Sequence, residues 1–318
     1  MPTAVPAGAM EEDMSILGRP RVAAVLSRAM QVLVTATASR VAKRTAAVFP
    51  EFPGRTTTIT VPTSVAPAPV VVHHPADATR PPPVHVDFHG GGFVMPGVWL
   101  DDPLCRYLAA EAGVVVVNVD YAVAPQHRFP APPHQAYEVV RWVAEHGAEH
   151  GWDGGRLTVG GQSAGGSLAA AVARPALERG GPAIAAQVLH YPALDLSTPG
   201  RDKTSTIAKP MLRPWMGEVF DGAYLPDRAA RADRLVSPAG AADTADLTGI
   251  APALVITPAH DRLHAEGARY AERLRGVGAL LEHRDVPDAD HGYDVGRAEP
   301  ARESYALIAR HVARATRG

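Results

Sequence analysis

Residues 114–120 read Val-Val-Val-Val-Asn-Val-Asp. Side chains of a strand alternate between its two faces, and this run is apolar on both. Such a strand must be covered from both sides, which excludes a sheet with one wet face and calls for parallel strands between two layers of helix. The rest of the chain keeps that rhythm. Short apolar runs at 84–88, 157–159, 184–189, 253–257 and 281–286 read as further strands. Between them, residues 104–112, 136–143, an Ala-rich stretch ending near 179, 265–277 and 300–315 carry helical spacing. The alternation predicts a mostly parallel sheet with helices on both faces. Pro175 is expected to kink or shorten its helix. Two β-branched runs upstream, 56–61 and 69–73, are separated by prolines and read as an antiparallel pair. No internal repeat interrupts the pattern.

Two segments stand outside it. The first 20 residues are polar and expected to fray. Then Val22, Leu26, Met30, Leu33 and Val41 line up on one helix face, expected to cover the body of the protein, with a membrane-surface helix as the alternative. Residues 197–246 hold Met211, Trp215, Met216 and Phe220 among prolines and charges. They read as an insertion over the C-terminal edge of the sheet, where ligands bind in such folds.

Composition narrows the function classes. The 318 residues carry 31 Lys and Arg against 33 Asp and Glu, so the basic excess of a nucleic-acid binder is missing. Cys105 is the single cysteine, which rules out an intrachain disulfide and a cysteine-held metal. The uncharged stretch 56–76 contains Pro62, Pro67 and Pro69 and cannot form a spanning helix. The opening residues show neither the basic nor the apolar region of a signal peptide. A soluble, cytoplasmic protein with no stable membrane insertion is the expectation. Scarce lysine with abundant Ala, Gly and Pro hints at a GC-rich bacterial genome.

Chemistry concentrates at two glycine clusters. Gly161-Gln162-Ser163-Ala164-Gly165 is a G-x-S-x-G sequence between a strand and a helix. A nucleophile raised above a sheet sits on a sharp turn, and small residues two before and two after make room for it. The competing reading is a phosphate-binding turn, yet neither G-x-G-x-x-G nor a Walker lysine is present. Upstream, His89-Gly90-Gly91-Gly92-Phe93 follows the 84–88 strand, and its glycines let backbone N–H groups converge on one point. His89 reads as a residue that orients this loop. A serine nucleophile needs a base and an orienting acid, which on this kind of sheet follow in the order acid, histidine. Asp261 and His291 both fall beyond the C-terminal ends of strands. His283 lies within a strand, His311 on a terminal helix read as surface, and Asp290 is badly placed to hold the ring of its neighbour.

Together HGGGF, GQSAGG, Asp261-Arg-Leu-His-Ala-Glu-Gly and His291-Gly-Tyr resemble the hormone-sensitive-lipase-like (family IV) esterases of the α/β-hydrolase fold. Asp120-Tyr121, Ala124-Pro125 and Tyr191-Pro192 add to the likeness, which runs from about Thr57 to the C-terminus. It implies an eight-stranded, mostly parallel sheet with a helical cap: residues 1–50 as a cap segment, 51–318 as the hydrolase core, and 197–246 as a cap insertion within it. It implies a serine carboxylesterase for short- to medium-chain acyl esters, with Ser163 as nucleophile, His291 as base and Asp261 as its partner. Backbone N–H groups of Gly91, Gly92 and Ala164 would form the oxyanion hole, supported by His89, Gly90, Gly161 and Gly165. No metal or organic cofactor is implied. The partner is a small-molecule ester, not nucleic acid, and a homodimer through C-terminal helix or strand edges is compatible with it. An amidase, lactonase or deacetylase would use the same triad, and a non-catalytic receptor is the reading from another class.

Four positions depart from the family. Gln162 stands where Asp or Thr is usual, Ala122 for Arg, Gln126 for Glu and Gln135 for Asp. Joint loss of one cation and its carboxylates predicts a neutral amide network supporting the oxyanion loop. The remaining candidates read plainly. His146 and His150 lack a third metal ligand, His73 and His74 close a strand, and Cys105 is a small buried residue or a partly exposed thiol, not a nucleophile.

Overall fold

The computed structural model describes residues 15–76 and 80–317; most of the stretch expected to fray, residues 1–14, lies outside them. Eight strands form one sheet: β1 (Arg55–Val61), β2 (Ala68–His74), β3 (Pro83–Phe88), β4 (Val115–Val119), β5 (Asp153–Gln162), β6 (Ile184–His190), β7 (Ala253–Pro258) and β8 (Leu280–Val286). Their spatial order is β1-β2-β4-β3-β5-β6-β7-β8. β1 and β2 are antiparallel, as their Pro-separated runs suggest, and β2 meets β4 antiparallel. From β4 to β8 every pairing is parallel.

Among the described residues seven α-helices accompany the strands: α1 (Pro20–Ala46), α2 (Asp102–Glu111), α3 (Ala131–His146), α4 (Ala164–Arg179), α5 (Pro214–Tyr224), α6 (His264–Gly276) and α7 (Ala298–Ala315); α2 to α6 lie between strands. The run that opened the sequence reading shows why the sheet needs two layers. Val115, Val117 and Val119 of β4 face the core shared with α3, α4 and α6, whereas Val116 joins α2 and α7 on the other side. β7 divides the same way, Ala253 and Val255 against Leu254 and Ile256. Burying one such side chain stabilises by about 1.5–3 kcal/mol, so each two-faced strand binds both layers at once. α4 is not shortened by Pro175; it continues to Arg179 and stops at left-handed Gly180.

Helix α1 departs from its expected face. The fully buried positions are Ala23, Ser27, Gln31 and Thr45, one place away from the apolar stripe. Val22, Leu26, Met30 and Val41 are only half-buried and Leu33 is exposed. The cause is a hydrogen bond that hydrophobic periodicity cannot register. The Gln31 amide donates to the carbonyls of Val94 (2.7 Å) and Ala124 (2.9 Å), two turn carbonyls on the body. At the C-terminal end, buried Arg106 donates to the carbonyls of Val48 (2.8 Å) and Phe49 (3.0 Å) and pairs with Asp102. By length and composition alone α1 is apolar enough to cross a membrane, and only 11% of that apolar window is buried.

Residues 197–246 lie over the C-terminal strand ends, with α5 packed on α1. Charge pins this segment. Asp243 accepts from Arg273 (2.8 Å) and Arg174 (3.1 Å), and both Asp243 and Arg174 are nearly excluded from water. Burial works against ionising Asp243, but the two guanidinium groups hold its carboxyl below the ordinary carboxylate value. Removing one partner of such a pair strands a buried charge. Asp243→Ala is therefore expected to lower unfolding stability by about 3 kcal/mol, read by urea titration at neutral pH. A loss below 1 kcal/mol would mean that the pair does not hold the segment down.

Candidate active site

The site begins with a close approach. Gly161 ends β5 beside Phe88 of β3. A Cβ at Gly161 or at Gly165 would collide with the Phe88 carbonyl oxygen. No side chain fits at either place, and the turn between them is forced tight. Ser163 sits at its apex with φ 56° and ψ −116°, a conformation that non-glycine residues rarely adopt. Its hydroxyl is thereby lifted off the sheet.

Two later loops complete the constellation. Asp261 follows β7, and His291 follows β8. His291 Nε2 lies 2.9 Å from Ser163 Oγ, and Nδ1 lies 2.7 Å from Asp261 Oδ2. Asp261 also accepts from the Leu263 N–H at 2.9 Å, which fixes its carboxylate plane. Both Asp261 and His291 are buried. Asp290 does not touch the ring. It accepts instead from the His291 N–H (2.8 Å) and from the Met211 N–H (2.5 Å), tying this loop to the 197–246 segment.

The glycine loop after β3 faces the same point. Gly91, Gly92 and Phe93 all have positive φ, at 126°, 62° and 62°. The Gly91 carbonyl accepts from Met95 (2.9 Å) and Val94 (3.1 Å), so the loop folds on itself. His89 hydrogen-bonds the Gly90 carbonyl at 2.6 Å, and Tyr121 donates to the His89 carbonyl at 2.9 Å while stacking on its ring. Burial lowers the His89 pKa and keeps the imidazole neutral. Ala164 is the first residue of α4, where N–H groups have no acceptor within the helix.

These groups open into a cavity of about 480 Å³. That is the size of a small-molecule site. Met211, Met216 and Phe220 from the covering segment, Phe93 and Val34 make much of the wall. Trp215 and Val94 are not among the lining residues. Asp101 is also at the wall, buried, and its carboxyl is pushed well above the ordinary value by burial and by nearby Asp87 and Asp294.

The substituted positions do not form one network. Gln135 accepts from the Ala122 N–H (2.6 Å) and donates to the Ala66 carbonyl (2.8 Å), whereas Gln126 donates to Gln31 (2.8 Å). These two brace the stretch 121–126 that lies against the glycine loop. Gln162 is elsewhere, and its surroundings are not neutral: its amide donates to Asp294 at 2.7 Å. Asp294 also accepts from Tyr191 (2.8 Å) and Tyr305 (3.0 Å). A carboxylate three residues past His291 thus serves the residue before Ser163. The motif reading missed Asp294, Tyr191 and Gln31; an Asp shortly after the histidine, with Gln at 162, was the available signal for the first.

Other readings are settled by contacts. Cys105 is buried, and burial pushes its thiol pKa well up, which disfavours the nucleophilic thiolate. His311 is not a free surface group but pairs with Glu282 at 3.1 Å. His146 and His150 stack on Trp142 and Trp152 respectively.

With this geometry in view, the comparisons agree. A family described as the alpha/beta hydrolase fold matches residues 85–295. The chain is an α/β hydrolase. It belongs to the hormone-sensitive-lipase-like branch and is a carboxylic ester hydrolase. It is 37% identical over 227 residues to carboxylesterase NlhH of Mycobacterium tuberculosis, covering 71% of this chain and 70% of the relative. It is 34% identical over 206 residues to ethyl acetate hydrolase of Pseudomonas putida, covering 64% of each. A solved Pyrobaculum calidifontis esterase superposes with TM-score 0.80 at 32% identity, over 91% of this chain and 92% of that one.

The Asp294 bridge generates a charge-swap test. Gln162→Asp would set two buried carboxylates against each other, and both cannot ionise. The raised pKa makes the penalty grow as pH rises. The variant should lose about 3 kcal/mol at pH 8 and less at pH 5, and Asp294→Asn added to it should restore most of the loss. Equal melting temperatures for wild type and Gln162→Asp at pH 8 would show that the bridge carries no energy.

Proposed function

We propose that this hydrolase cleaves short- to medium-chain acyl esters through an acyl-enzyme on Ser163. The supporting observation is the unbroken line of hydrogen bonds from Ser163 Oγ through His291 to Asp261, ending in an apolar cavity. Ser163 Oγ attacks the ester carbonyl carbon while His291 Nε2 takes its proton. Asp261 holds the ring in the tautomer with the proton on Nδ1 and stabilises the imidazolium. The tetrahedral oxyanion is received by the N–H groups of Gly91, Gly92 and Ala164, with His89, Gly90, Gly161 and Gly165 shaping that cradle. Collapse transfers the Nε2 proton to the leaving alcohol. Water then enters, gives its proton to His291, attacks the acyl carbon, and the acid departs as Ser163 recovers its hydrogen. Every proton passes through His291, with Asp261 holding the ring, so the cycle as written calls on no metal or organic cofactor.

The volume favours short to medium acyl groups, as does the likeness to an enzyme named for ethyl acetate. Residues 1–50 and 197–246 act in this reading as the cap that closes the cavity over a core of residues 51–318.

A p-nitrophenyl ester series from acetyl to palmitoyl tests the proposal. Turnover should peak between acetyl and octanoyl. Ser163→Ala and His291→Ala should each lower kcat by about a thousandfold or more, while His264→Ala stays near wild type. A Ser163→Ala variant as active as wild type would remove Ser163 from the mechanism. A maximum at palmitoyl would remove the chain-length assignment alone.

A further inference from the structure

Helix α1 carries aliphatic side chains outward as well as inward. It buries Ser27, Gln31 and Thr45, and it leaves Val25, Val32 and Leu33 68%, 70% and 66% exposed. A helix covering a core in water shows the reverse arrangement. The inward side is explained by the Gln31 amide and its two carbonyls. The outward side makes physical sense only against an apolar medium.

Charge says which medium. At about 100° per residue, Val25, Ala29, Val32 and Ala36 share one narrow outer stripe. Arg21 and Arg28 border it on one side, Arg40 on the other, and Lys43 and Arg44 extend it at the end; all five cations are exposed. From residue 14 to residue 50 the sequence carries six cations and no acid, so all 33 acids lie elsewhere. The helix is basic on a body that is net acidic. Apolar side chains are exposed at the cavity as well, where Met211 is 45% and Val295 36% exposed, and Trp215 of the covering segment is 45% exposed. Among the described residues, Leu281 on β8 is the one large exposed apolar side chain away from this region.

We infer that the outer face of α1 docks on an anionic lipid bilayer. The aliphatic stripe sits at the boundary of headgroups and acyl chains, and the flanking Arg and Lys side chains reach the phosphates. The acidic body is repelled by the same surface, so the complex has one orientation, with the outer face of α1 at the membrane. α1 lies on the bilayer and does not cross it, because Gln31 and Arg106 hold it on the body. Given the esterase reading above, the enzyme draws esters dissolved in the membrane rather than in bulk water.

Flotation of the full chain with phosphatidylcholine vesicles, with and without phosphatidylglycerol, tests this. Binding should rise at least tenfold with phosphatidylglycerol and fall with added salt. Arg40→Gln/Lys43→Gln/Arg44→Gln should weaken it about a hundredfold. Val32→Glu/Leu33→Glu should abolish it, and both variants should hydrolyse p-nitrophenyl acetate at the wild-type rate, which shows that they are folded. Absence of binding with esterase activity intact overturns the inference, as does equal binding to both kinds of vesicle. A concentration-dependent dimer dissolved by Val32→Glu/Leu33→Glu, or vesicle binding seen only after residues 1–14 are deleted, would give the face to a second copy or to the chain's own start and overturn it as well. Vesicle binding by a protein without esterase activity would strike the Ser163 mechanism and leave the docking surface standing.

Discussion

The contact between two glycines and the carbonyl oxygen of Phe88 governs this molecule. Gly161 and Gly165 press on that oxygen so closely that neither position admits a methyl group. The approach bends the chain between β5 and α4 and drives Ser163 into its left-handed conformation. It also locks the end of β3 to the base of the turn, and the loop that leaves β3 is the one whose glycines face the serine. Strain at the apex persists because the sheet below over-determines it. The six parallel strands are held in turn by two helical layers, which the two-faced valines of β4 require.

Much of this was written in the sequence. Apolar runs located the central strands, because burial on both faces leaves a dense pattern that few other structures produce, while β-branched content marked the exposed edge strand β1. The three residues that the structure joins in one hydrogen-bonded line were legible for a different reason: chemistry fixes their types and the sheet fixes their order, so Ser163, Asp261 and His291 could be named before any coordinate. Register and polarity at the edges were not legible. Hydrophobic periodicity put the wrong side of α1 inward, since it cannot weigh one buried amide that satisfies two carbonyls against a row of aliphatic side chains. The continuity of α4 past Pro175 also lay outside local rules, because surrounding packing can outweigh the loss of one helical hydrogen bond.

The substituted amides show that a neutral motif position need not have neutral surroundings. The departures from the family suggested an amide network around the glycine loop. What the fold shows at 162 is an amide on a carboxylate: Gln162 donates to Asp294 across 2.7 Å. Tyr191 completes the link, since it donates to Asp294 and its ring lies edge-on to His291. One buried carboxyl group thereby touches the residue before Ser163 and a residue packed on His291. A linear motif records only one of those partners.

Asp290 joins two parts of the molecule that might have been thought separate. Its carboxylate takes one hydrogen bond from the backbone of His291 and one from Met211 in the segment over the cavity. One carboxylate thus ties the backbone of the loop that carries His291 to the segment over the cavity, so neither can shift without drawing on the other.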